Sequence, residues 1–140
     1  MFRTMKADGD RPLVGSGRGE LGVRLPGGMG KPDVTPDEAN LVHPGRGGMS
    51  VSPSLRQLPY FLIPRRLDET LGLRGAKAPN DWCVWRMGIG PFIGAAVGPD
   101  LFLRPDGDDH GLLEPSRVML ASDYQTFLGG TRDAWVIDEA

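Results

Sequence analysis

The chain has 140 residues, 39% of them hydrophobic, with 16 Lys and Arg against 18 Asp and Glu for a net charge of -2. That length fits one domain burying about two-thirds of the surface its unfolded form exposes. The charge balance excludes the overall positive field that draws proteins to nucleic acid or acidic lipid, and the single cysteine, Cys83, excludes an internal disulfide. With 21 glycines and 13 prolines, many turns are expected between short elements.

In chain order, residues 1–18 are polar and glycine-rich without periodicity, which predicts a mobile N-terminal tail and a single folded domain over 19–140. The opening MFRTMKADGDRPL lacks the apolar centre of a secretory signal, and no stretch approaches the ~20 apolar residues that cross a bilayer. A monomer is expected, made in the cytoplasm and away from membranes; export through a dedicated secretion machine would leave no mark of this kind.

The first alternation, ELGVRLP, sets Leu21, Val23 and Leu25 against Gly22 and Arg24, predicting a short strand. GMSVSP repeats the pattern with Met49 and Val51 on one face and Ser50 and Ser52 on the other. DWCVWRM sets Trp82, Val84 and Arg86 against Cys83, Trp85 and Met87. DLFLRP and HGLLEP, joined by the turn-rich DGDD, read as two further strands. A weak helix is expected over RRLDETLGL. A stronger one closes the chain, with Ser122 and Gln125 spaced as a capping box and Tyr124, Phe127, Leu128 and Trp135 on one face. Gly129 and Gly130 weaken that helix by about 1 kcal/mol each relative to alanine, so it is expected to break there, with Thr131 capping a second piece.

Several motifs imitate sites. GRGELG, residues 17–22, has dinucleotide-type glycines but follows no strand and opens no helix, so it reads as a flexible linker. MGIGPFIGAAVG follows a strand, yet Pro99 leaves room for two helical turns at most; a glycine-rich loop lining a cavity or packed on a strand is expected. DGDDHG resembles the opening of a calcium loop, but Arg117 stands where the bidentate carboxylate is required, and His43, His110 and Cys83 give no zinc spacing, so no metal site is expected.

The residues left with chemical potential on ordered segments are Arg24, Ser50, Ser52, Tyr60, His110 and Glu114. His110 and Glu114, four apart, would share one face of an extended strand about 13 Å apart, able to line one groove but not to bond each other. A solvated strand face explains the two serines equally well, and a backbone contact explains the histidine.

Three segments in order, KPDV (31–34), LVHPGRGGMSV (41–51) and HGLLEPSRVM (110–119), resemble the type VI secretion toxins known as exported effector two, which have an ADP-ribosyltransferase-like fold. The matched residues cover about a quarter of the chain. The resemblance implies an α+β fold with a small, split, mainly antiparallel β core, flanking helices and a cleft that takes NAD as substrate. It places Ser50 on the strand beside the nicotinamide ribose, His110 on a late strand at the same cleft and Arg24 facing the pyrophosphate. Gly48, Ser52 and Tyr60 would complete the NAD contacts, with the glycines of 45–48 letting backbone approach the ligand. Cleavage of the nicotinamide bond develops positive charge on the ribose; the toxin pattern has no dependable glutamate at position 114, and it is the charge of Glu114 that makes it the expected stabilising anion beside Ser50 and His110. The Glu-x-Glu pair of arginine-modifying transferases is absent. An immunity protein covering the cleft is the implied partner, an unknown protein or other acceptor the implied target, and NAD glycohydrolysis a variant of the chemistry. The alternative is a non-catalytic interaction module on the same fold.

Overall fold

A computed structural model describes residues 1–140. Strand β1 (Phe2–Asp8) turns into β2 (Arg11–Pro12); β3 (Leu41–Val42) and β4 (Met49–Val51) follow a long irregular stretch. Two 3-10 turns and helix α1 (Leu67–Leu71) lead to β5 (Trp82–Met87), then β6 (Ala95–Val97), β7 (Leu101–Pro105), β8 (Gly111–Pro115), β9 (Met119–Leu120), helix α2 (Ala121–Gly129) and β10 (Trp135–Ile137). The fold is α+β, and its ladders are antiparallel: four-stranded sheets β10-β5-β1-β2 and β4-β8-β7-β6, with a two-stranded β3-β9 pair. No helix is long and apolar enough to cross a membrane.

The main core lies between the two larger sheets and α2, where Met49, Val51, Leu103 and Leu113 meet Met5, Trp85, Tyr124 and Trp135. A second cluster of Leu55, Leu58, Ile63, Leu67, Ala76 and Val84 covers the other face of the β1–β5 sheet. Alternate residues of β5 therefore enter different cores, Val84 the second and Trp85 and Met87 the first, while Trp82 is covered by Gly19 and the Lys6 and Arg18 side chains, so a strand whose pattern predicts a half-buried one is buried on both faces.

The expected strands at 49–52, 82–87, 101–105 and 111–115 form, the last two as an antiparallel pair closed by a backbone bond from Asp106 to His110. The expected weak helix is α1. The expected tail is not one: residues 2–8 form β1, the inner strand between β5 and β2, and Met5 is fully buried. Its pattern is hidden because Arg3 and Thr4 are covered through hydrogen bonds instead of apolar contact.

The expected strand at 21–25 makes no ladder. Leu21 and Val23 are buried, but the backbone of Val23 is satisfied by the side chain of Gln125, which accepts from the amide at 2.9 Å and donates to the carbonyl at 2.7 Å. Gln125 is thus unavailable for a capping box, and Ser122 lies inside α2, which starts after Leu120 without a side-chain cap. The chain does break at the glycine pair; the second piece is one 3-10 turn, Arg132–Ala134, and Trp135 begins β10 instead of extending a helical face.

Candidate functional site

The two large sheets touch where Phe2 of β1 exchanges backbone bonds with Ser52 just after β4, at 2.7 and 2.9 Å. Farther along β1, Lys6 bonds instead to Leu13 and Gly19, so β1 and β4 part company after a single bridged pair. A cavity of about 290 Å³ opens in this fork, near the lower end of the ~300–1,000 Å³ usual for small-molecule sites. β1 supplies Arg3 and Thr4, β4 and its continuation supply Ser50, Val51 and Ser52, and the β7–β8 turn supplies His110. The glycine-rich segment supplies Gly17, Arg18 and Gly19, so GRGELG is an ordered wall of the cavity and not the expected flexible linker. Leu58, Pro59, Phe61 and Leu62 form an apolar lip, on which Phe61 is exposed.

Arg3 is the unusual group. One terminal nitrogen donates to the carbonyl of Ser50 at 2.9 Å and the other to the carbonyl of Glu20 at 3.1 Å, contacts that neutralise no charge. It forms no ion pair, and its Nε is buried without a hydrogen-bond partner. Burial pulls its pKa down to about 10, only partly opposed by the Asp33 carboxylate nearby. An arginine kept under these terms is a ready receptor for an anion, which would supply the missing counter-charge.

Asp33 is the carboxylate lining the cavity, and both of its oxygens are engaged. Oδ2 accepts from the Arg24 amide at 2.7 Å and from Arg24 Nε at 3.3 Å, while Oδ1 accepts from an Arg24 terminal nitrogen at 3.0 Å. The bond to Asp33 holds the Arg24 pKa above its ordinary value. Arg24 therefore lines the cavity as half of a neutralised pair. His110 is held at the rim by the Asp106–His110 turn and lies 3.6 Å from the Asp106 carboxylate.

Of the residues expected at the site, Arg24, Ser50, Ser52 and His110 share this cavity, and Ser50 and Ser52 reach it from successive turns of the pleat because β4 ends there. Three do not. Tyr60 is exposed on a 3-10 turn, and its neighbour Phe61 takes the lining position. Glu114 points the other way: 1% exposed, it accepts from Arg104 Nε at 2.7 Å and from the Gly45 amide at 2.8 Å, so it anchors the 43–48 loop to β8 and lies outside the cavity. Gly48 faces inward too. A Cβ there would stand 3.0 Å from the Leu113 carbonyl and 3.1 Å from the Tyr124 hydroxyl, and one at Gly47, whose φ is +104°, would stand 2.5 Å from the Asp33 carbonyl. These glycines let the loop pack on its own protein, not on a ligand.

Sequence reasoning missed Arg3, Arg18, Asp33 and the apolar lip. Arg3 was readable only as part of FRTMK, an alternation of Phe2 and Thr4 with Arg3 and Met5 whose inner face starts with a cation. No family model, curated protein or solved structure matches this chain.

Proposed function

We propose that this chain is an ADP-ribosyltransferase-like toxin domain whose cleft takes NAD. The observation that carries the reading is Arg3, a half-buried arginine with a buried, unpaired Nε and no carboxylate partner, which lines the same cavity as Ser50, Ser52 and His110. Two antiparallel sheets that fork around a cavity are what a split ADP-ribosyltransferase-like core requires, and the KPDV, LVHPGRGGMSV and HGLLEPSRVM segments carry the resemblance.

In this reading Arg3, not the neutralised Arg24, faces the NAD pyrophosphate. The Ser50 and Ser52 hydroxyls and the His110 ring orient the ribose and carboxamide by hydrogen bonds, and exposed Phe61 offers an aromatic face to a ring of the ligand. Nicotinamide leaves with the electron pair of the C1′–N bond, and the oxygen lone pairs of the lining serines meet the positive charge that develops on the ribose, since Glu114 lies outside the cavity and Asp33 is neutralised by Arg24. An immunity protein would neutralise the domain by covering the fork.

The test is nicotinamide release from NAD together with a thermal shift on adding NAD, in wild type and in Arg3→Lys, Ser50→Ala and His110→Ala. Release by wild type, with at least a tenfold loss in each variant, is expected. Folded wild-type protein that neither cleaves NAD nor is stabilised by it would leave the interaction module as the better account.

A further inference from the structure

A second hollow, of about 370 Å³, adjoins the cavity and shares Gly17, Arg18 and Arg24 with it. Its other walls are Ser16, Leu25, Pro26, Gly28 and Met29. Two arginines are its charged groups; no acidic side chain lines it. Arg24 is neutralised by Asp33, but Arg18 is exposed, has no ion pair, and is held 5.4 Å over the ring of Trp82. A free guanidinium therefore stands on the ridge between the two hollows, on a chain whose net charge is negative. The apolar lip of Leu58, Pro59, Phe61 and Leu62 lines the first cavity and not the second, which leaves the aromatic end of NAD to the first and an anionic group to the second.

The chemistry of the first cavity narrows what can enter the second. An alcohol or an arginine acceptor needs a base to take its proton; Asp33 is saturated by Arg24 and Glu114 lies elsewhere, so His110 is the one lining side chain left for that task. A phosphate monoester needs none, because it is already a dianion at neutral pH.

We infer that the second hollow is the acceptor subsite, and that it takes the terminal phosphate of a nucleotide strand, with Arg18 on the phosphate and Leu25, Pro26 and Met29 under the adjoining base. The inference rests on the NAD reading of the first cavity. In the transfer, the C1′–N bond breaks with its electron pair passing to nicotinamide, which leaves neutral. A phosphate oxygen lone pair forms the C1′–O bond, the dianionic monoester becomes a monoanionic diester, and no proton moves.

Two measurements separate this inference from the reading beneath it. Without NAD, a fluorescent ten-nucleotide single strand carrying a 5′-phosphate should bind wild type at least tenfold more tightly than the same strand with a 5′-hydroxyl, and Arg18→Ala should remove that preference. With NAD, the 5′-phosphorylated strand should gain the mass of one ADP-ribose, and Gly28→Trp, which fills the hollow, should lower labelled strand per nicotinamide released at least tenfold. Equal binding of the two strands would overturn the subsite, whatever NAD does. Nicotinamide release with an unlabelled strand would overturn the acceptor while leaving NAD cleavage in place, and stronger labelling of a phosphoserine peptide would overturn the choice of nucleotide. Phosphate-selective binding without any nicotinamide release would retain the subsite and overturn its role as an acceptor site.

Discussion

Arg3 and Glu114 are both ionised residues on strands of the same core, and they have opposite surroundings. Glu114 is fully served: a guanidinium on one oxygen and an amide on the other leave it as a clamp between β8 and the 43–48 loop. Arg3 is held by two carbonyls that place it without balancing it, and its Nε has no partner. A buried charge with its partners present is scaffold, and one lacking a counter-ion at the wall of a cavity is a binding group. On the proposed reading, the glutamate expected to be catalytic is scaffold and the arginine expected in a tail is the anion-binding group.

Substitutions can break that comparison at either end. The largest expected effect is at Arg3: Arg3→Lys should reduce NAD cleavage at least 100-fold, because an ammonium cannot span the Ser50 and Glu20 carbonyls and still present charge to the cavity. Kinetics at saturating NAD, with circular dichroism to confirm folding, would check it. Next, Glu114→Ala should destabilise by about 1–3 kcal/mol, because the Gly45 amide loses its acceptor while half-exposed Arg104 returns to water, whereas Glu114→Gln should leave cleavage per folded molecule within twofold. A large loss of turnover in stable Glu114→Gln protein would restore its catalytic role.

The Tyr124 hydroxyl donates to the Leu113 carbonyl at 2.5 Å and accepts from the Met49 amide at 3.1 Å, tying β4 to β8 beneath the cavity. Burial raises its pKa well above the ordinary phenol value. Tyr124→Phe should cost about 2 kcal/mol in urea unfolding by leaving two backbone groups unpaired. The smallest effect belongs to Asp37, a paired carboxylate like Glu114 but at the surface. The His43 ring 2.8 Å away, followed by the Leu41 amide, lowers its pKa from 3.8. A depressed carboxyl contributes stability that is present above pH 3.8 and lost as pH falls through its folded value, so Asp37→Asn should flatten only that acid limb of a stability-against-pH curve.

Much of the β framework was legible because its strands alternate cleanly: Met49–Val51, Trp82–Met87 and the 101–115 hairpin all present apolar residues at a period of two. β1 was not, since a polar residue buried by hydrogen bonds carries no hydropathy signal. The 21–25 stretch misled for the complementary reason: its apolar alternation is real, but Gln125, about a hundred residues away, supplies the bonds a neighbouring strand would have made. Around the cavity, Ser50, Ser52, His110 and Arg24 come together from the segments that the sequence singles out. That Arg24 is neutralised, that Glu114 turns away and that Arg3 joins them depend on pairings across the chain that no local pattern encodes.

Nitrogen-15 NMR of the arginine Nε–H groups tests the central claim most directly, because Arg3 and Arg104 supply reporters of the two environments in one spectrum. On titration with NAD, the Arg3 signal should move and its exchange with water should change, while the Arg104 signal, locked on Glu114, should stay in place. An Arg3 signal unmoved by saturating NAD, or one that moves no more than that of Arg104, would contradict the account.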